Sequence, residues 1–120
     1  MTVTDEHPRL PDILAVRSEE NHFILTLHVP ENLFWFHGHF PDLPILAGVV
    51  QVDWAIALAR QHFSLPNLAG RHFETKFHAV VHPGDILTLS LRRDAQKDQL
   101  DFSYRIGEQL CTSGRLNGLS

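Results

Sequence analysis

Apolar and polar positions alternate with a period of two along the C-terminal half of the chain. Leu87, Leu89 and Leu91 oppose Thr88, Ser90 and Arg92, while Leu100, Phe102, Tyr104 and Ile106 oppose Asp101, Ser103 and Arg105. This alternation marks antiparallel strands with one buried face, here over 86–92 and 100–106. Residues 73–81 and 109–116 read as two further strands. The separators are turn-formers: His82-Pro83-Gly84-Asp85, the polar run 94–98, and Gly107-Glu108. Nearer the N-terminus, 13–17 and 23–29 predict a hairpin across Ser18-Glu19-Glu20-Asn21, with Pro30 ending its second strand.

Between the two groups of strands the pattern changes. Over 47–63, Val49, Val50, Val52, Trp54, Ala55, Ile56, Ala57, Leu58 and Ala59 leave little polar surface. Gly48 lies near the start, and Arg60, Gln61 and His62 fill the last turn, where positive charge suits the helix dipole. The pattern predicts one central helix surrounded by protein on most sides. With the strands, it gives an α+β architecture in which an antiparallel sheet wraps a single helix. Segment 31–46, rich in aromatics and prolines, predicts an irregular loop packed against the core. The length fits a single domain over 1–120, with about the first ten residues expected to be flexible.

Composition narrows the partners. Ten Lys and Arg against 14 Asp and Glu give a net charge of −4, and the basic residues are scattered apart from Arg92-Arg93, which argues against nucleic acid. The single cysteine, Cys111, allows no intrachain disulfide and reads as a buried thiol in a reducing cytoplasm. No apolar run reaches bilayer length and the N-terminus lacks a signal-like apolar stretch, so a soluble, cytoplasmic protein without a membrane span is expected. Nine histidines invite a search for a metal site, but His37, His39, His78 and His82 show no recognised ligand spacing. No metal or redox cofactor is expected.

The chemistry concentrates in HGHFPDLPILAGVVQVD, from His37 to Asp53. Fourteen positions separate His39 from Asp53, and Pro41, Pro44 and Gly48 lie between them. A histidine before a proline-stiffened turn and a lone carboxylate in an apolar helix suit acid–base work in a greasy pocket. Within such a helix Asp53 is expected to be desolvated, which disfavours its charged form. The plainer alternatives are a hydrogen-bonded structural histidine, an Asp53 paired with Arg60, and a Trp54 that is simply core.

GHFPDLPILAGVVQVDWA, together with FHAVVHPGDILTL, resembles the hotdog-fold 3-hydroxyacyl-[acyl carrier protein] dehydratases of bacterial fatty-acid synthesis. The wording is similar above all to the small dehydratase-like proteins of aryl-polyene and related polyketide clusters. The resemblance spans roughly 10–116. It implies a hotdog fold and conversion of 3-hydroxyacyl thioesters, carried by an acyl carrier protein, to trans-2-enoyl thioesters. It places His39 and Asp53 on the family's catalytic positions, the histidine of one protomer meeting the acid of the other. A dimer is therefore implied, either of identical chains or with a related hotdog subunit. His39 is the candidate base for the C2 proton and Asp53 the candidate acid for the leaving hydroxyl. The free N–H groups at the helix start, with Gly48 allowing close approach, are the candidate oxyanion site, and Phe40 and Val49 are candidate linings of an acyl tunnel.

The chain departs from the family at two positions. Ala47 stands where proline is usual, and Ala57 where a glutamine follows the acid by one turn. Gln51, two residues before the acid, belongs to another face of the helix and is no simple substitute. A hotdog acyl thioesterase and a non-catalytic partner subunit are the competing expectations.

Overall fold

A computed structural model describes residues 7–36, 44–65 and 72–117, apart from the side chains of Trp35 and His72. The elements are β1 (Asp12–Glu19), β2 (His22–His28), a short 3-10 turn (Phe34–Phe36), α1 (Gly48–His62), β3 (His72–Phe77), β4 (Ile86–Asp94), β5 (Gln99–Ile106) and β6 (Gln109–Asn117). All six strands form one antiparallel sheet in the order β1-β2-β4-β5-β6-β3.

The alternation anticipated in β4 and β5 sends Leu87, Leu89, Leu91, Leu100, Phe102 and Tyr104 to one face, where Leu25, Leu27 and Leu116 join them. Against that face lies α1, burying Val50, Trp54, Ala55, Leu58 and Ala59. Each fully buried leucine contributes about 1.5–3 kcal/mol, so the helix is held chiefly by its apolar contact with the sheet. One helix wrapped by a six-stranded antiparallel sheet is the hotdog fold. Among the described residues, no helix is long and apolar enough to cross a membrane.

The segment before β1 is fastened from two sides. Phe34 N donates to Pro8 O at 2.7 Å and the Arg9 guanidinium lies 3.8 Å from the centre of the Phe34 ring. The Trp54 indole donates to Arg9 O at 3.0 Å, which makes Trp54 a core residue with its polar edge satisfied.

Three expectations need correction. The hairpin turn is shorter than the four residues anticipated: Glu20 and Asn21 suffice, with Asn21 at φ 51°, a left-handed conformation that asparagine tolerates. The run 73–81 is strand only to Phe77. Beyond it His78 N and Ala79 N both donate to Cys111 O, and Val81 O accepts from Leu46 N at 2.7 Å, so the chain leaves the sheet to brace the segment entering α1. The third concerns the helix, which is not enclosed by its own chain: Val49 is 75% exposed and Asp53 is exposed.

Candidate active site

The bare side of α1 follows from helical spacing. Val49, Val52, Asp53 and Ile56 recur at intervals of three and four and share one stripe, of which Val49 and Asp53 are exposed, Ile56 half-buried and Val52 buried, whereas Gln51 and Asp53 stand about 200° apart around the axis. Gln51 accordingly points inward and is 2% exposed. Its Nε2 donates to Leu46 O at 3.1 Å, its Oε1 accepts from the Thr112 hydroxyl at 2.5 Å, and its backbone carbonyl accepts from the Tyr104 hydroxyl at 2.6 Å. This buried polar clamp ties the first turns of α1 to β5 and β6, and with Gln51 turned in, Asp53 must turn out.

The stripe faces β3, an edge strand of the sheet. Phe73, Thr75 and Phe77 pair with Leu116, Gly114 and Thr112; the Leu116 and Thr112 side chains face α1, so these three β3 residues share the helix side of the sheet while Glu74 and Lys76 alternate to the other. Between helix and strand lies a hollow of about 460 Å³ lined by Gly48, Val49, Val52, Asp53, Ile56, Phe73, Thr75 and Phe77. Its lining side chains are apolar except for Asp53 and Thr75, the latter with its hydroxyl buried. The Phe73 and Phe77 rings are 55% and 59% exposed, so the hollow opens beside a strand edge that no other described strand pairs.

Asp53 is therefore not the desolvated carboxylate expected from an all-apolar helix. Its own chain leaves it at the rim of an open groove, and no ion pair with Arg60 or any other described residue engages it. Its charge reaches inward nonetheless. Burial first, and the Asp53 carboxylate second, hold the Tyr104 phenol well above its ordinary range, so that it stays protonated as a donor to Gln51.

At the mouth of the hollow α1 begins without a side-chain cap, since Ala47 supplies none. Ala47 has φ −60° and ψ 143°, the φ that a proline would have fixed, so its departure from the family costs no local geometry. Gly48 allows a close approach. A Cβ there would lie 2.2 Å from Phe77 Cζ, so the phenyl ring sits directly against the helix start. The same ring borders a second hollow, of about 340 Å³, reached past Ile45, His78 and Val80.

Among the anticipated site residues, Gly48, Val49 and Asp53 thus line one hollow, while His37, His39 and Phe40 lie outside the described residues. His78 approaches the Ser113 hydroxyl at 3.5 Å and His82 approaches Asp85 at 3.8 Å, both on exposed surface. No cluster of metal-ligating side chains occurs among the described residues. Cys111 is buried, its thiol pushed up by that burial. The sequence reading missed Phe73, Thr75 and Phe77 as groove wall. The signal was present in HFETKF, where charged Glu74 and Lys76 alternate with three residues that face the helix.

Residues 15–115 match the family model of the ApeI-like proteins, described as ApeI dehydratase. A 3-hydroxyacyl-[acyl-carrier-protein] dehydratase FabZ from Oenococcus oeni is 33% identical over 104 residues, covering 74% of this chain and 72% of that protein. The dehydratase heterocomplex ApeI:P from Xenorhabdus doucetiae superposes with a TM-score of 0.84 at 28% identity, over 92% of this chain and 98% of that one. An uncharacterized protein from Erwinia carotovora subsp. atroseptica superposes at 0.80 with 33% identity, over 90% and 94%. With a lone carboxylate on the bare stripe of a wrapped helix and a family match over most of its length, the chain belongs to the ApeI-like family of hotdog-fold dehydratases.

Proposed function

We propose that this protein dehydrates 3-hydroxyacyl thioesters, delivered by an acyl carrier protein, to trans-2-enoyl thioesters. The observation that carries the reading is Asp53, a carboxylate on the otherwise apolar stripe of α1, set in an apolar hollow beside an unpaired strand edge. A second chain laid along β3 covers that hollow, removes water from Asp53 and brings its own His39 to the groove. Imidazole, with an ordinary pKa near 6.5, takes the C2 proton at neutral pH. Asp53 then serves the departing C3 hydroxyl, and the N–H groups at Gly48 receive the charge that develops on the thioester oxygen.

Elimination requires removal of a weakly acidic proton and help for a poor leaving group, tasks that this reading divides between His39 and Asp53. The hollow suits an acyl chain: Val49, Val52 and Ile56 supply apolar wall on the helix side and Phe73 on the strand side. The Xenorhabdus heterocomplex favours a second reading of the assembly, in which the partner is a related hotdog subunit instead of an identical chain.

The experiment supplies a 3-hydroxyacyl thioester to purified protein and follows the conjugated enoyl product by absorbance. His39→Ala and Asp53→Asn each abolish turnover. Because each site draws on two chains, mixing the two variants restores about a quarter of the wild-type rate in randomly exchanged homodimers. Undiminished activity in either variant refutes the site, and release of free thiol without enoyl product marks a thioesterase instead. Activity that arises only when a second hotdog protein is added points to the mixed assembly.

A further inference from the structure

Three buried polar side-chain atoms among the described residues have no hydrogen-bond partner: His62 Nε2, Thr75 Oγ1 and Arg93 Nη1. Of these three residues, Thr75 alone lines the hollow that holds Asp53. The contrast with the neighbouring core hydroxyls is sharp, since Tyr104 and Thr112 both donate to Gln51. A buried hydroxyl without a partner costs stability, and valine would satisfy the same strand position, shape and β-branching at no such cost. An orphaned polar group in a native fold calls for a physical explanation, and its place on the groove wall supplies one.

We propose that the Thr75 hydroxyl positions the substrate, donating a hydrogen bond to the 3-hydroxyl oxygen of the acyl thioester from the β3 side of the groove while Asp53 addresses it from α1. The inference rests on the dehydratase reading above and deepens it. Register places Thr75 between Phe73 and Phe77 on the helix-facing side of β3, opposite Gly114, which has no side chain to compete for the hydroxyl. The hydroxyl is buried although Phe73 and Phe77 on either side of it in the strand are more than half exposed, so either ring is free to turn aside for an incoming chain. As the C3–O bond breaks, negative charge gathers on the departing oxygen, and a donor brought against it from β3 stabilises it. Threonine keeps its own proton throughout, and the proton that completes the leaving water comes from the acid–base pair. The groove thereby gains a means of telling a 3-hydroxyacyl chain from a saturated one, a distinction that apolar walls cannot make.

The test compares wild type, Thr75→Val and Thr75→Ser. Turnover is measured on the 3-hydroxybutyryl thioester of pantetheine. Binding of that compound and of saturated butyryl pantetheine is measured by calorimetry, with His39→Ala in the background to suppress reaction. Thr75→Val is expected to fold with a melting temperature no lower than wild type and to lose roughly tenfold to a hundredfold in kcat/KM, the loss that an unpaired polar partner brings. Its preference for the hydroxylated over the saturated thioester falls by a similar factor, affinity for the saturated compound stays within about twofold, and Thr75→Ser restores most of the loss. The binding preference decides the matter. If wild type shows none, or Thr75→Val keeps it, the assignment is overturned; equal weakening for both compounds overturns it too, as the mark of a packing role. Absence of enoyl product from wild type would instead count against the dehydratase reading, with the binding preference still reporting on Thr75.

Discussion

Replacing Gln51 with leucine removes the centre of the buried clamp without emptying its volume. Two groups lose their partner: the Leu46 carbonyl, which accepts from Gln51 Nε2, and the Thr112 hydroxyl, which donates to Gln51 Oε1. Both contacts lie in the interior, with Gln51 2% and Thr112 0% exposed. An unsatisfied buried polar group costs about 1–3 kcal/mol, so the pair costs about 2–6 kcal/mol. The added apolar burial of leucine offsets about 1 kcal/mol of this. The expected loss is therefore about 1–5 kcal/mol, read as a lower urea midpoint at unchanged m-value. Adding Thr112→Val removes one of the two orphans and recovers about 1–2 kcal/mol, giving a coupling energy well outside the additivity of independent sites. A Gln51→Leu variant within about 0.5 kcal/mol of wild type, or a double variant whose effects simply add, would refute the reasoning. Activity supplies a further check. If the clamp sets the rotation of α1 that turns Asp53 into the groove, turnover falls in Gln51→Leu at temperatures where it is still fully folded.

Two glycines separate a cheap collision from an expensive one. A Cβ at Gly48 meets only the far end of the exposed Phe77 side chain, and Gly48→Ala changes stability by less than about 1 kcal/mol because the ring can swing away. At Gly114 a Cβ would lie 2.3 Å from Cζ of the buried Phe102 and 2.9 Å from the Glu74 carbonyl, so Gly114→Ala costs about 1–3 kcal/mol by overpacking; thermal melts showing equal losses would contradict the packing described. Tyr104 makes stability depend on alkaline pH. Its phenol is held well above the ordinary tyrosine value of about 10 when folded and ionises freely when unfolded, so its contribution is complete below that value and is lost as pH rises past it. Above pH 10 wild type should lose up to about 1.4 kcal/mol per pH unit more than Tyr104→Phe, and parallel stability–pH curves in urea titrations would exclude the effect.

How much of this was legible in the sequence depended on whether local pattern carried the cause. The alternation of β4 and β5 and the apolar run of α1 were readable because each residue's side follows from the period of its own element. The strand over 73–81 was overrun because His78-Ala79-Val80-Val81 is as strand-like as what precedes it; what ends the strand is that the donors of His78 and Ala79 converge on Cys111 O, a long-range fact. The exposure of Asp53 was hidden for a related reason. A helix apolar on every side looks the same whether the covering comes from its own sheet or from another chain. Spacing separated Gln51 from Asp53 correctly, yet gave no sign that Gln51 would find Thr112 and Tyr104. Thr75 could not be singled out in the sequence, since its missing partner is defined only by the packing around it. His39 and Phe40, legible as motif, lie outside the described residues.

The strand that walls the groove is also an open edge of the sheet. Whatever pairs with the backbone of β3 also closes over the space in front of Asp53, so assembly and occupancy of the groove draw on the same residues. By thermodynamic reciprocity, a molecule in the groove that strengthens edge pairing is itself held more tightly, by the same factor, once pairing has occurred. Dilution should therefore lower apparent ligand affinity, and ligand should shift the association equilibrium toward the larger species. Where the molecule that pairs with β3 is the second chain proposed above, local concentration itself sets how much of the groove is closed.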